Sequence, residues 1–87
     1  MKHLIESNYK SILKRGLINE STSSLDFIMK LEEEVQEFID AEKFGLENER
    51  EELADIILVC LNYARHYDID IENELKNKII INNKRND

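Results

Sequence analysis

Residues 52–64 run Glu52-Leu53-Ala54-Asp55-Ile56-Ile57-Leu58-Val59-Cys60-Leu61-Asn62-Tyr63-Ala64. Leu53, Ile56, Ile57, Cys60, Leu61 and Ala64 recur at helical spacing and form one stripe of a helix predicted over about 48–66. Leu58 and Val59 add apolar surface on its other sides. A helix that is apolar nearly all round is buried against several neighbours or against another subunit.

The pattern continues outward in both directions. A helix over about 25–43 presents Ile28, Leu31, Val35, Phe38 and Ile39 as its inward stripe, and Phe44-Gly45-Leu46 ends it. Ser23 followed by Asp26 approximates a capping box at its start, with Asp in place of the usual Glu. An earlier helix over about 2–16 turns Leu4, Ile5, Tyr9, Ile12 and Leu13 inward and stops at Gly16. A last helix over about 71–84 starts at Asp70, with Glu72 and Glu74 early and Lys76, Lys78, Lys84 and Arg85 late, as the helix dipole favours. No proline interrupts any of them. The expected fold is all-α, a compact bundle of about four short antiparallel helices forming a single domain over 1–87.

Eighty-seven residues make a marginal core. A lone Cys60 forms no internal disulfide, so oligomerisation is the expected supplement. The longest apolar run, 56–61, is far short of the roughly 20 residues that span a membrane. No signal-peptide stretch follows Met1, and the expected setting is a soluble protein of a reducing cytoplasm.

Net charge is −7, concentrated in residues 32–55, where eleven acids stand against two bases. Such a surface repels phosphate and disfavours duplex nucleic acid as a partner. Exposed helical faces often carry acidic runs, so spacing has to separate a solvated face from a cation site. At 100° per residue, with Leu31 as centre of its stripe, Glu34 lies at about −60° and Glu37 at about −120°. With Leu53 as centre, Glu52 lies at about −100° and Asp55 at about −160°. Each helix therefore carries two acids, three residues apart, on one flank of its apolar stripe. Antiparallel packing lets these flanks converge. Asp55 sits inside an apolar run, where an unpartnered carboxylate costs several kcal/mol. A hard divalent cation, Mg²⁺ or Mn²⁺, relieves both the burial and the mutual repulsion.

On the last helix the stripe begun by Ile71 and Leu75 continues as Lys78, Asn82 and Arg85. Two cations and an amide in that row suit phosphate binding opposite the acids, or else a basic helix end leaving the core.

Glu33-Glu34-Val35-Gln36-Glu37, fourteen residues, then Glu52-Leu53-Ala54-Asp55 resembles the E-E-x-x-E … E-x-x-D signature of the MazG-like nucleotide pyrophosphohydrolases, of the all-α NTP pyrophosphatase superfamily. Lys78, Asn82 and Arg85 look like the K-x3-N-x2-R ending of many members, and the match covers about 25–85. The resemblance implies Mg²⁺-dependent hydrolysis of a nucleoside triphosphate, a dNTP or a non-standard NTP, between the α and β phosphates. Glu34, Glu37, Glu52 and Asp55 would hold Mg²⁺ (or Mn²⁺), and Glu33 would orient or deprotonate the attacking water. Lys78, Asn82 and Arg85 would bind substrate. Single-domain members are commonly homodimers or homotetramers.

The turn before the last helix departs from the family, which usually has Gly there, and reads His66-Tyr67-Asp68-Ile69-Asp70. A phosphoribosyl-ATP pyrophosphohydrolase has a similar size and acidic motif, but the basic ending fits it less well. A non-catalytic acidic helical module is the alternative outside enzymes, with its acids pointing outward. Tyr9, Phe27 and Tyr63 are the aromatics available to a base. His3 and His66 read as surface or turn histidines, and Cys60 as a small core hydrophobe.

Overall fold

The computed structural model describes residues 1–86 and consists of four helices: α1 (Lys2–Lys14), α2 (Ser24–Lys43), α3 (Glu49–His66) and α4 (Ile71–Asn83). The fold is all-α, and no helix among the described residues is long and apolar enough to cross a membrane.

Local chemistry sets the boundaries. The Ser23 hydroxyl accepts from Asp26 N, and the Asp26 carboxylate accepts from Ser23 N, so the capping box is complete. Asp70 caps α4 by accepting from Asn73 N at 3.1 Å. Three helices terminate alike. After α1, Leu17 N donates to Ile12 O and Gly16 N to Leu13 O; after α2, Leu46 N donates to Ala41 O and Gly45 N to Glu42 O. After α3, Ile69 N donates to Ala64 O and Asp68 N to Arg65 O. Each is a Schellman closure, whose penultimate residue needs positive φ. Gly16 and Gly45 meet that need at +72° and +64°, and Asp68 adopts +56° with a side chain attached. Asp68 is thus the structural substitute for the glycine missing from the 66–70 turn.

α2 packs along α3, and α1 crosses α3. The core is small: Tyr9 and Ile12 from α1, Phe27 and Ala41 from α2, Val59, Leu61 and Ala64 from α3. The stripes anticipated from spacing are only partly inward. Ile12 and Tyr9 are buried as expected, but Leu4, Leu13, Ile28, Ile39, Leu53 and Ile57 are 41–64% exposed. Cys60 is also exposed, not a core residue. The physical reason lies in α3, which is apolar on more than one side: α1 and α2 cover the side holding Val59 and Asn62 and leave Leu53, Ile57 and Cys60 uncovered. α4 buries no residue; it meets the other helices at its start, where Ile71 lines a groove with Phe27 and Ile28 of α2 and Cys60 and Ala64 of α3.

The result is an open shape. The radius of gyration is 14.8 Å, against about 12 Å for a compact chain of this length. The accessible surface is 6991 Å², against roughly 5,400 Å² for a folded monomer of this mass.

Polar links stitch α1 to α3. Asn8 Nδ2 donates to Asn62 Oδ1 at 2.9 Å, and Arg65 pairs with Glu6. His66 is not a turn residue in solvent: its Nδ1 meets the Tyr9 hydroxyl at 2.7 Å and its Nε2 meets Thr22 O at 2.9 Å. Phe27 and Tyr67 rings stand 5.0 and 4.9 Å from it.

Candidate metal centre

The packing of α2 along α3 brings their acidic flanks together. Among the described residues, Glu34, Glu37 and Glu52 each bring a carboxylate oxygen to within 4.8 Å of the other two. Glu34 is 6% exposed, Glu52 is partly buried and Glu37 faces solvent. The arrangement is graded, dry on the α2–α3 seam and open at Glu37.

One oxygen of each buried carboxylate is held. Glu34 Oε1 lies 3.0 Å from Lys30 Nζ, and Glu52 Oε1 accepts from Asn48 Nδ2 at 2.8 Å. The other oxygen of each, Oε2, is buried without a hydrogen-bond partner. Burying a carboxylate oxygen unsatisfied is expensive, and native structures seldom do so without a ligand or ion to complete the site. Two such oxygens beside a third carboxylate form an all-oxygen donor set that suits a hard divalent cation. The residues therefore fit a metal.

The electrostatics agree. A protonated Glu37 can donate to the Glu34 carboxylate, and first this, then the Glu34 charge, burial and Glu52, pushes the Glu37 carboxyl above its ordinary value. With Glu37 ionised the two Oε2 atoms have no partner. Lys30 is likewise raised, chiefly by its hydrogen bond with Glu34 against an opposing desolvation. Among the described residues, Lys30 is a cation set directly against this cluster.

The other residues anticipated for the site lie around it. Asp55, one turn beyond Glu52, is exposed and outside the 4.8 Å group; the dry surroundings expected of it are absent because that side of α3 is uncovered. Glu33 is exposed, 3.6 Å from Lys30 Nζ. Lys78 and Asn82 are exposed on α4, and Arg85 follows the helix, its N–H donating to Asn82 O. α4 meets the acid-bearing helices at Ile71, seven residues before Lys78.

Spacing missed Lys30 and Asn48. Each stands four residues before its glutamate, Glu34 and Glu52, a spacing that places side chains on one helical face and was available to find them.

The model of the MazG nucleotide pyrophosphohydrolase domain matches residues 22–85. No curated protein and no solved structure matches the chain.

Proposed function

The chain belongs to the MazG nucleotide pyrophosphohydrolase family, and we propose that it hydrolyses a nucleoside triphosphate, a dNTP or a non-standard NTP, between the α and β phosphates. The products are a nucleoside monophosphate and pyrophosphate. The observation that carries this reading is the pair of buried, unpartnered Oε2 atoms of Glu34 and Glu52 beside Glu37. An outward-pointing acidic surface of a binding module would not bury them.

Glu34, Glu37 and Glu52 would hold Mg²⁺ or Mn²⁺, with Asp55 on the same flank of α3 as fourth ligand. Bound there, the metal supplies charge neutralisation, polarisation of the α-phosphate and a more acidic water. Glu33 orients the attacking water and accepts its proton as the water oxygen bonds to the α-phosphorus. The bond from that phosphorus to the bridging oxygen breaks in line, and the electron pair leaves with pyrophosphate. Lys78 and Arg85 pair with the leaving group's charge, and the Asn82 amide gives a directional hydrogen bond.

The active form in this reading is a homodimer or homotetramer. Leu53, Ile57 and Cys60 on α3, with Ile28 and Ile39 on α2, leave an apolar face open beside a groove of about 340 Å³. α4 supports the same conclusion, since an isolated 13-residue helix is marginal in water without a surface to bury. The exposed thiol of Cys60 suits the reducing cytoplasm where nucleotide pools reside.

The test is to incubate the purified protein with Mg²⁺ and a panel of standard and damaged nucleoside triphosphates. Monophosphate with pyrophosphate is expected. Orthophosphate release would overturn the bond assignment, and no turnover of any nucleotide would overturn the activity.

A further inference from the structure

We propose that the groove running from the end of α1 along α2 and α3 holds the nucleoside half of the substrate, with the Asn62 carboxamide donating a hydrogen bond to a carbonyl of the base. This rests on the reading of the acid cluster as the polyphosphate end.

The groove encloses about 530 Å³, within the range of small-molecule sites. Its walls are apolar, with Ile12 from α1, Phe27 from α2 and Val59 from α3 among them. Lys30 lines it beside the carboxylate cluster, through the contact to Glu34, and the other charged liners are the acids Asp26 and Glu33, the latter 3.6 Å from Lys30 Nζ. With two acids to one lysine the lining is net negative, which disfavours a polyphosphate and leaves the uncharged base as the part of a nucleotide suited to the groove.

Asn62 supplies the discriminating group. It is 7% exposed, lines the groove, and its Oδ1 is occupied by Asn8 Nδ2 at 2.9 Å. That contact fixes which way the amide points and leaves its NH₂ as the donor offered to a ligand. Guanine, cytosine, uracil and thymine each carry a carbonyl to accept from it, and adenine carries none. The Phe27 ring, braced edge-on by Tyr63 at 5.7 Å, gives the base a flat apolar neighbour.

The test has two arms. In the first, steady-state kinetics of wild type and Asn62→Ala are compared across dGTP, dCTP, dUTP and dATP with Mg²⁺. A KM rise of about tenfold for the carbonyl-bearing nucleotides, with kcat retained and the dATP KM unchanged, is expected for one lost hydrogen bond. Equal effects on all four, or none, would overturn the groove assignment while leaving the pyrophosphohydrolase reading intact. In the second arm, wild-type protein without metal is titrated with millimolar uridine and followed by ¹H–¹⁵N NMR. A shift of the Asn62 side-chain NH₂ signals supports the groove even if no nucleotide is hydrolysed or the variant fails to fold. Unmoved signals at that concentration count against it.

Discussion

Lys30 Nζ lies 3.0 Å from Glu34 Oε1, one turn back along α2, and 3.6 Å from Glu33. The buried glutamate thus has a built-in countercharge. Truncating it by Lys30→Met leaves the Glu34 charge buried and less compensated. Because the lysine side chain is 54% exposed, water screens the pair and the loss is about 1 kcal/mol, well below that of a fully buried ion pair. The expected signature is a lower melting temperature in EDTA and a larger Mg²⁺-induced rise than in wild type. Equal melting of the two proteins in EDTA would mean that Lys30 does not compensate the cluster.

The carboxylates predict the response to metal itself. At 100 times its Kd, Mg²⁺ stabilises by about 2.7 kcal/mol, a rise on the order of 10 °C for a domain of this size. Glu52→Gln and Glu37→Gln would each remove one proposed ligand, and that rise should disappear or shrink severely. Turnover should fall beyond the roughly 10–100-fold that loss of a group supporting a ligand costs, with the helical circular dichroism spectrum unchanged. An active Glu37→Gln enzyme would remove Glu37 from the ligand set.

Glu37 also gives the cluster a pH dependence. Its folded-state affinity for a proton is raised, so the folded chain binds that proton more tightly than the unfolded chain does. The contribution to stability is complete below the ordinary value of 4.5 and is lost as pH climbs through the raised one. In EDTA, melting temperature should therefore fall across this window more steeply in wild type than in Glu37→Gln. Saturating Mg²⁺, which replaces the proton, should remove the difference. Parallel melting curves for the two proteins in EDTA would show that Glu37 carries no such penalty.

How much of this was legible beforehand follows from the range of each interaction. Ser23, Asp26, Gly16 and Asp70 act within a few residues, and their effects on helix ends were readable from spacing alone. The convergence of Glu34, Glu37 and Glu52 was readable too, because two i, i+3 pairs on neighbouring helices constrain each other. Which side of α3 faces inward was not, since Val59 and Ile57 are equally apolar and the choice depends on where α1 lands. The Asn8–Asn62 and Tyr9–His66 links join residues more than fifty positions apart. Nothing local distinguishes those side chains from unpartnered ones.

The open apolar face predicts the assembly. The chain exposes 6991 Å², roughly 1,600 Å² beyond a monomer of its mass. Two chains covering that excess would bury about 3,200 Å², within the range of obligate homodimers. Light scattering should give a dimer or tetramer at micromolar concentration. Ile57→Glu, which sets a charge in the 50%-exposed centre of the face, should yield monomers with lower stability. A monomeric wild type with undiminished stability would refute the assembly.

Asp68 offers the cleanest test of the fold itself, because it touches neither the acids nor the open face. It closes α3 at φ +56°, where the other two Schellman closures use glycine. An L-residue in that region costs roughly 1–2 kcal/mol, of which Asp recovers part through its tolerance of left-handed backbone. Glycine removes the steric term but adds about 0.5–1 kcal/mol of unfolded-chain entropy. The balance favours Asp68→Gly by about 0.5 kcal/mol, a rise in melting temperature of roughly 2–4 °C. Asp68→Val, β-branched and strained at positive φ, should instead destabilise by about 1–3 kcal/mol. Thermal melts of both variants in EDTA decide the matter: if valine is tolerated as well as glycine, the 66–70 turn does not require the left-handed residue.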